Sequence, residues 1–372
     1  MAGPRRPVRA LVRRVHLWLG LGLGALMALA GLTGAVLVFY VEIDRALHPE
    51  VMVAGLPGPA AYDRALATVR ARWPDKSGPW RFEVTGRQGT IPARYYNPPE
   101  TRHRDFAPML AWLSPDGRRV LRRDFWGDTA MTWIYDLHYQ LQFGNAGKAV
   151  FGYAGLALLA LLLSGLWAWW PRGRWGKALR FKPDAARLRR LYDLHKLAGL
   201  VGLPLLAMLT ATGVMLALPR ESEAVLAAAG APVDLPVRAA PLGPGGSATI
   251  PLSRAMAIAA RALPGASVAW AETPGASGEG VYRMRMRARA DPSRRFPHSF
   301  VVIDPHGGRV LAITDAARAG PSTTVINWLH PLHDGSAGGM PLRIAVLLAG
   351  LLGAALFVTG LWRWLARRSR TA

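Results

Sequence analysis

Four apolar runs restrict this chain more than any other feature. Val15–Ile43, Ala149–Trp170, Leu197–Leu218 and Ile344–Leu365 each approach or exceed the roughly 20 apolar residues that cross a hydrocarbon layer about 30 Å thick. Backbone groups find no water in such a layer, so each run is expected to be a helix. The segments between them, roughly 44–147 and 219–340, are long enough for folded domains outside the membrane.

Orientation follows from the basic residues. Arg5, Arg6, Arg9, Arg13 and Arg14 precede the first run. Arg172, Arg174, Lys177, Arg180, Lys182, Arg187, Arg189 and Arg190 fill the linker between the second and third, and Arg367, Arg368 and Arg370 close the chain. With four spans, all three clusters fall on one side, so both termini are expected in the cytoplasm and both long segments outside. The net charge of +23 is then a topology signal, and nucleic acid is not expected as a partner. A basic start followed by Ala28-Leu29-Ala30 resembles a cleavable signal. The apolar run continues through Tyr40 to full spanning length, however, so the segment is read as a retained helix. The chain has no cysteine, which excludes disulfides, thiolate-held iron–sulfur clusters and covalent haem attachment.

The chain repeats itself. His16, Gly20, Leu21, Thr33, Gly34 and Glu42 recur 179 residues later as His195, Gly199, Leu200, Thr212, Gly213 and Glu221. Pro115-Asp116-Gly117 and Pro305-His306-Gly307 match at an offset of 190. Trp133, His138, Gly144, Gly155, Gly165 and Trp167 match Trp328, His333, Gly339, Gly350, Gly360 and Trp362 at 195. Offsets that only grow are what small insertions in one copy of a duplicated span–domain–span unit would produce, so a tandem duplication is expected. Within the external segments, Tyr62–Arg72 and Leu252–Leu263 have helical spacing. Phe82-Glu83-Val84, Met109–Leu113, Val281–Met286 and Phe300–Ile303 read as strands, with turns at 115–117 and 305–308. Two small α+β domains are expected, with glycine- and proline-rich linkers at 55–59 and 241–246.

These limits divide the chain into an N-terminus with the first span (1–43), an external domain (44–131) and a histidine-bearing segment with the second span (132–171). A basic loop (172–194), the third span (195–218), a second external domain (219–327) and a histidine-bearing segment with the fourth span and basic tail (328–372) follow.

The histidines at the span mouths suggest a cofactor, because an ionisable group there is expensive unless something binds it. Gly20 and Gly24 share the helix face of His16, and Gly199 and Gly202 that of His195. An imidazole above missing side chains leaves a flat slot suited to a porphyrin, so His16 and His195 are read as axial ligands of one haem iron. Glycine faces also let spans pack closely, and that reading stands beside the first. His138 and His333, at the opposite face, are read as ligands of a second iron. Lys148 and Arg343, ten residues on, are candidates for haem propionates, or simply snorkel. His330 is a spare candidate for the place of His333. His48, His103, His298 and His306 have no counterpart in the other copy and are read as solvated or turn residues. No nucleotide-binding or hydrolase motif is present, and no catalytic residue is assigned.

Arg14-x-His16-x3-Gly20-Leu21, Thr33-Gly34, Trp133-Ile134-Tyr135-Asp136-Leu137-His138, Ser164-Gly165-Leu166-Trp167, Tyr192-Asp193-Leu194-His195 and Leu332-His333 with Gly339 resemble the PepSY-associated transmembrane helix family. That family includes iron-regulated inner-membrane proteins and di-haem ferric-siderophore reductases. The resemblance implies a bacterial inner-membrane protein with four transmembrane helices, two PepSY-like α+β domains in the periplasm and two b-type haems held by histidines. It implies reduction of ferric iron, as a ferric siderophore or other ferric chelate, on the periplasmic side with electrons from the cytoplasmic side or the quinol pool. Some members carry a fused flavoprotein portion; none is expected here, so the donor would be a separate reductase or quinol. The competing reading is a membrane-anchored PepSY module that inhibits a peptidase or senses a ligand without redox activity. A transporter fits less well, because the repeats run parallel and the centres of the spans carry no charge.

Overall fold

The computed structural model describes residues 5–171, 173, 175–234 and 248–369. Arg172, Arg174, Arg370 and the stretch at 241–246 lie outside the described residues. In chain order the helices are α1 (Arg5–Leu37), α2 (Tyr40–Leu47), α3 (Pro59–Arg72), α4 (Ala130–Gln140), α5 (Gly144–Trp169) and α6 (Trp175–Leu179). They continue with α7 (Arg187–Ala217), α8 (Pro219–Ala228), α9 (Leu252–Ala262), α10 (Pro321–His333) and α11 (Gly339–Arg368). The strands are β1 (Trp80–Glu83), β2 (Ile91–Tyr95), β3 (Met109–Leu113), β4 (Val120–Phe125), β5 (Ser267–Glu272), β6 (Tyr282–Arg287), β7 (Ser299–Ile303) and β8 (Val310–Thr314). They form two units: Met1–Phe39, Ile134–Ser222 and Leu329–Ala372 make one, and Tyr40–Trp133 with Glu223–Trp328 the other.

The first unit is a helix bundle. Among the described residues four helices are long and apolar enough to cross a membrane: Pro7–Leu37, Gly144–Trp169, Arg187–Ala217 and Ser336–Arg368. The third helix begins at Arg187 and takes the end of the basic loop into its first turns. α1, α5, α7 and α11 pack as a ring, each on the next, and α11 closes back on α1. Glycine permits the close crossings. A side chain at Gly31 of α1 would collide with the Gly350 carbonyl of α11, and one at Gly152 of α5 with Leu218, 2.5 Å away. Large apolar residues such as Val201, Leu163 and Val150 point outward, as a lipid-facing surface requires. Arginines finish the helix ends. Arg9 donates to the carbonyls of Ala168 (2.9 Å) and Trp170 (3.0 Å) at the end of α5. These are last-turn carbonyls with no helical partner, where a cation also complements the helix dipole.

The second unit is one antiparallel sheet of eight strands in the order β4-β3-β2-β1-β5-β6-β7-β8. Two four-stranded meanders, one from each external segment, meet where β1 pairs with β5, placing Phe82 opposite Ala271. Each meander alone would expose a flat edge at β1 or β5, and pairing removes both edges. The segments expected as two small domains thus share a sheet. They also share a core: α3 and α9 lie against one face, and Tyr62, Leu66, Val69, Leu252 and Ala259 pack with Trp80, Phe82, Met284 and Ile303. Pro-Asp-Gly at 115–117 turns β3 into β4, with Gly117 at φ 77°. That left-handed conformation favours glycine.

Candidate functional site

Inside the bundle the four span-associated histidines meet in two pairs. The rings of His16 (α1) and His195 (α7) have centroids 6.3 Å apart and planes 78° apart. Those of His138 (α4) and His333 (α10) are 6.1 Å apart with planes at 49°.

Each imidazole is seated on a different helix by the same device. His138 Nδ1 lies 2.9 Å from Thr33 Oγ1 of α1, and His333 Nδ1 3.0 Å from Thr212 Oγ1 of α7. His195 Nδ1 lies 3.1 Å from Thr359 Oγ1 of α11. His16 Nδ1 lies 3.2 Å from both Ser164 Oγ and the Leu161 carbonyl of α5. Every one of these hydroxyls donates its only proton to a carbonyl one turn back on its own helix: Thr33 to Leu29 at 2.7 Å, Ser164 to Leu161 at 2.8 Å, Thr212 to Met208 at 2.8 Å and Thr359 to Ala355 at 2.7 Å. A hydroxyl so committed can only accept from the ring. Nδ1 therefore carries the hydrogen in all four histidines, and the lone pair of each neutral ring lies on Nε2.

A glycine completes each seat. A Cβ at Gly34 would stand 2.9 Å from His138 Cε1, at Gly165 2.8 Å from His16 Cε1, at Gly213 3.1 Å from His333 Cε1 and at Gly360 3.4 Å from His195 Cε1. The ring lies where a side chain would be. In sequence the seats read Thr33-Gly34, Ser164-Gly165, Thr212-Gly213 and Thr359-Gly360, one hydroxyl–glycine pair in each long helix. Sequence reasoning noticed the first three pairs but assigned none of them a partner, and it passed over Thr359. The signal lay in the fourfold recurrence of the dipeptide, which only a comparison of all four spans brings out.

The pair at Thr33 and Thr212 lies seventeen residues along α1 and α7 from the pair at His16 and His195, a helical distance of about 25 Å. The two pairs therefore sit toward opposite ends of the bundle.

The other expected site residues fall as follows. Gly20 and Gly199 face loosely filled space: an added Cβ would meet only Leu161 Cδ1 at 3.8 Å or Leu356 Cδ2 at 3.7 Å. Close helix packing does not require glycine there. Lys148 lies over the Tyr139 ring at 5.9 Å. Arg343 donates to the Val38 carbonyl at 2.6 Å and stacks on Phe39 at 4.5 Å. His330 lies beside Asp334 at 3.2 Å and is 42% exposed, whereas His333 is the residue brought to His138. Asp193, two residues before His195, bonds Lys196 at 2.9 Å and Arg189 at 3.0 Å.

Two imidazoles that grip one transition metal from opposite sides, with metal–nitrogen distances of about 2.0–2.1 Å, hold their ring centres roughly 6.3 Å apart. Both pairs have that spacing. Among the described residues no group of three or more histidine, cysteine or acidic side chains could hold a metal. A bare ion would lack ligands here, so a pair of this kind suits a metal that brings its own equatorial donors. A second imidazole hydrogen bonded outward at Nδ1 is also the usual support for ligation through Nε2.

Among curated proteins, none matches this chain. A sequence profile described as the PepSY-associated TM region matches residues 13–367. On that match, which spans nearly the whole chain, the protein belongs to the PepSY-associated TM region family.

Proposed function

We propose that this protein is an inner-membrane electron-transfer protein that holds two b-type haems and reduces ferric iron, as a ferric siderophore or a related chelate, on the periplasmic side. The observation that carries the reading is the pair of facing imidazoles at each end of the bundle, all four with Nδ1 hydrogen bonded and Nε2 available. His16 with His195 would hold one haem, and His138 with His333 the other. Haem bound in this way supplies one-electron ferric–ferrous chemistry, at a potential set by its ligands, their hydrogen bonds and burial.

The chain's own residues supply the rest. The Ser and Thr seats fix ring orientation and tautomer, and hydrogen bonding at Nδ1 makes Nε2 a stronger donor. Gly20 and Gly199 leave local room beside the first pair, whereas Gly24 and Gly202, about one turn further on, are filled by Phe357 and Leu352. With haem at both pairs, toward the two ends of four apolar helices, a one-electron carrier would lie near each membrane surface. The basic clusters favour a cytoplasmic location for both termini; the His16–His195 pair would then face the cytoplasmic side, where a separate reductase or quinol would deliver electrons.

The test is a visible spectrum of the full chain, produced with ample haem and extracted in detergent, before and after dithionite. A Soret band with two haems per chain is expected, with one lost in H16A/H195A and the other in H138A/H333A. Ferric siderophore should reoxidise the reduced protein. A colourless preparation would falsify the reading and favour a binding or regulatory module instead.

A further inference from the structure

The sheet carries a row of charge on the face turned away from α3 and α9. Strand alternation places Trp80, Phe82, Ala93, Met284 and Met286 in the core, and Arg81, Arg94, Arg283 and Arg285 on the opposite face. The register lines these residues up. Arg94 of β2 stands opposite Arg81 of β1, Arg81 opposite Glu272 of β5, and Glu272 opposite Arg283 of β6. Arg285 lies two residues along β6 on the same face. Four arginines thus surround one carboxylate, across the β1–β5 seam where the two external segments join.

That carboxylate is already taken. Glu272 accepts from Arg81 Nε at 2.8 Å, and Arg81 also donates to the Tyr96 hydroxyl at 2.8 Å. Nearby Glu83 pairs with Arg295 at 3.4 Å, and Asp291 accepts from the backbone N–H groups of Ser293 (3.1 Å), His298 and Ser299 (3.2 Å). Arg94, Arg283 and Arg285 are left: among the described residues they make no side-chain hydrogen bond and no ion pair. All three are half-buried. Arg94 reaches across β1 to lie 5.0 Å from the centroid of Trp270, whose cross-strand neighbour is Arg285. Arg283 and Arg285 lie 4.4 and 5.0 Å from the centroid of Phe300. Trp270 is buried and stacked on Phe296. The rings therefore serve as supports, and what the face offers a ligand is the N–H groups of the guanidinium forks.

This arrangement works against the fold. Like charges directly opposite on neighbouring strands are destabilising, and Arg81 and Arg94 are such a pair. Burial, then repulsion from Arg81 and Arg283, pushes the Arg285 guanidinium down to about 10. The surplus of positive charge focuses a potential that an anion would relieve. A single fork satisfies the two coplanar oxygens of a carboxylate. Three forks arriving from β2 and β6 suit a tetrahedral group whose oxygens point in several directions.

We propose that this row binds a phosphate-type oxyanion of at least two negative charges, with Arg94, Arg283 and Arg285 as its donors. Lipid headgroups and soluble phosphate esters both carry that group. The inference needs neither haem nor iron.

Full-length protein in an uncharged detergent is titrated with inorganic pyrophosphate and with acetate, read by calorimetry. Pyrophosphate is expected to bind about tenfold tighter or more, with the advantage shrinking as salt rises. R94Q and R285Q should each weaken it about tenfold, whereas R118Q, in the exposed β3–β4 turn, should leave it unchanged. Without ligand, R285Q should also raise the melting temperature by relieving repulsion, a result that misfolding cannot mimic. Glycerol 3-phosphate and the soluble dihexanoyl phosphatidic acid separate the two sources. Tighter binding of the second, lost in R94Q/R285Q, assigns the site to lipid headgroups, and equal binding assigns it to soluble phosphates. Pyrophosphate that binds no better than acetate overturns the inference. So does an affinity that survives R94Q/R285Q, or one that R118Q lowers as much as R94Q does, which would mark diffuse charge and no site.

Discussion

The hydroxyl seats invite the sharpest perturbation. Thr33→Val and Thr212→Val keep the shape of the side chain and remove the acceptor that holds His138 and His333. The bonds lost are 2.9 and 3.0 Å long. Deleting a buried hydrogen-bond partner costs about 1–3 kcal/mol. The carbonyls of Ala30 and Leu209 also face these rings and keep a partial acceptor in place, so the lower end applies. Each substitution should therefore cost about 1 kcal/mol, and the double variant about 2 kcal/mol. That is roughly thirtyfold in haem affinity, within the 10–100-fold range usual for outer-shell partners of metal ligands. The assay is titration of haem into the haem-free protein, followed by a spectroelectrochemical potential for each site. The loss should be confined to one of two haems, because the His16–His195 pair lies about 25 Å away along the helices. Thr33→Ser and Thr212→Ser should restore it. Two haems bound with unchanged affinity and potential in a well-folded T33V/T212V protein would refute the argument that these hydroxyls set ring orientation.

Two further outcomes follow from geometry and charge. Gly34→Ala places a methyl 2.9 Å from His138 Cε1, whereas Gly20→Ala meets only Leu161 at 3.8 Å. The first should lower haem content at one site, and the second should leave the thermal unfolding of the haem-free protein unchanged. Lys76, only 1% exposed, bonds Asp75 and Glu100, each at 2.8 Å. Its hydrogen bonds hold both carboxyls below their usual range, and those same bonds outweigh burial and lift the ammonium above the usual lysine value. Stability from the carboxyls is present above the ordinary carboxylate pKa of about 4 and lost as pH falls through the depressed values. That from the lysine is present below about 10.4 and lost as pH rises through the raised value. Unfolding of the sheet unit against pH should show both limbs, and Lys76→Met should flatten them.

The four long helices, with His16 and His195 on two of them, were legible because hydropathy and a repeated register are one-dimensional signals. The strands were legible only in part. Met109–Leu113 is nearly continuous in apolar residues and Tyr282–Arg287 alternates cleanly. Ile91–Tyr95 has a proline at its second position and an arginine at its fourth, and Val120–Phe125 has Arg122-Arg123-Asp124 at its centre. Charge on the open face hides such strands from a pattern search. In Ser267–Glu272 a bulge between Val268 and Trp270 breaks the period. The β1–β5 junction left no trace, because three residue pairs formed across some 190 positions depend on shape rather than local pattern. The seats stayed hidden for a related reason. Thr33 lies on the same helix as His16, yet it holds a ring that arrives from α4. Sequence proximity suggests the wrong partner.

The committed hydroxyls also decide how charge and protons can travel. A seat that gives its hydrogen to its own backbone and receives one from a ring cannot rotate and pass a proton onward, so each of the four is a dead end for a proton wire. An electron moved between the two ends of the bundle would cross without a compensating proton by that path. Its passage would be electrogenic, helped or opposed by the membrane potential at about 2.3 kcal/mol per elementary charge for each 100 mV. Under the proposed function, the membrane potential would then bear directly on the rate of that transfer.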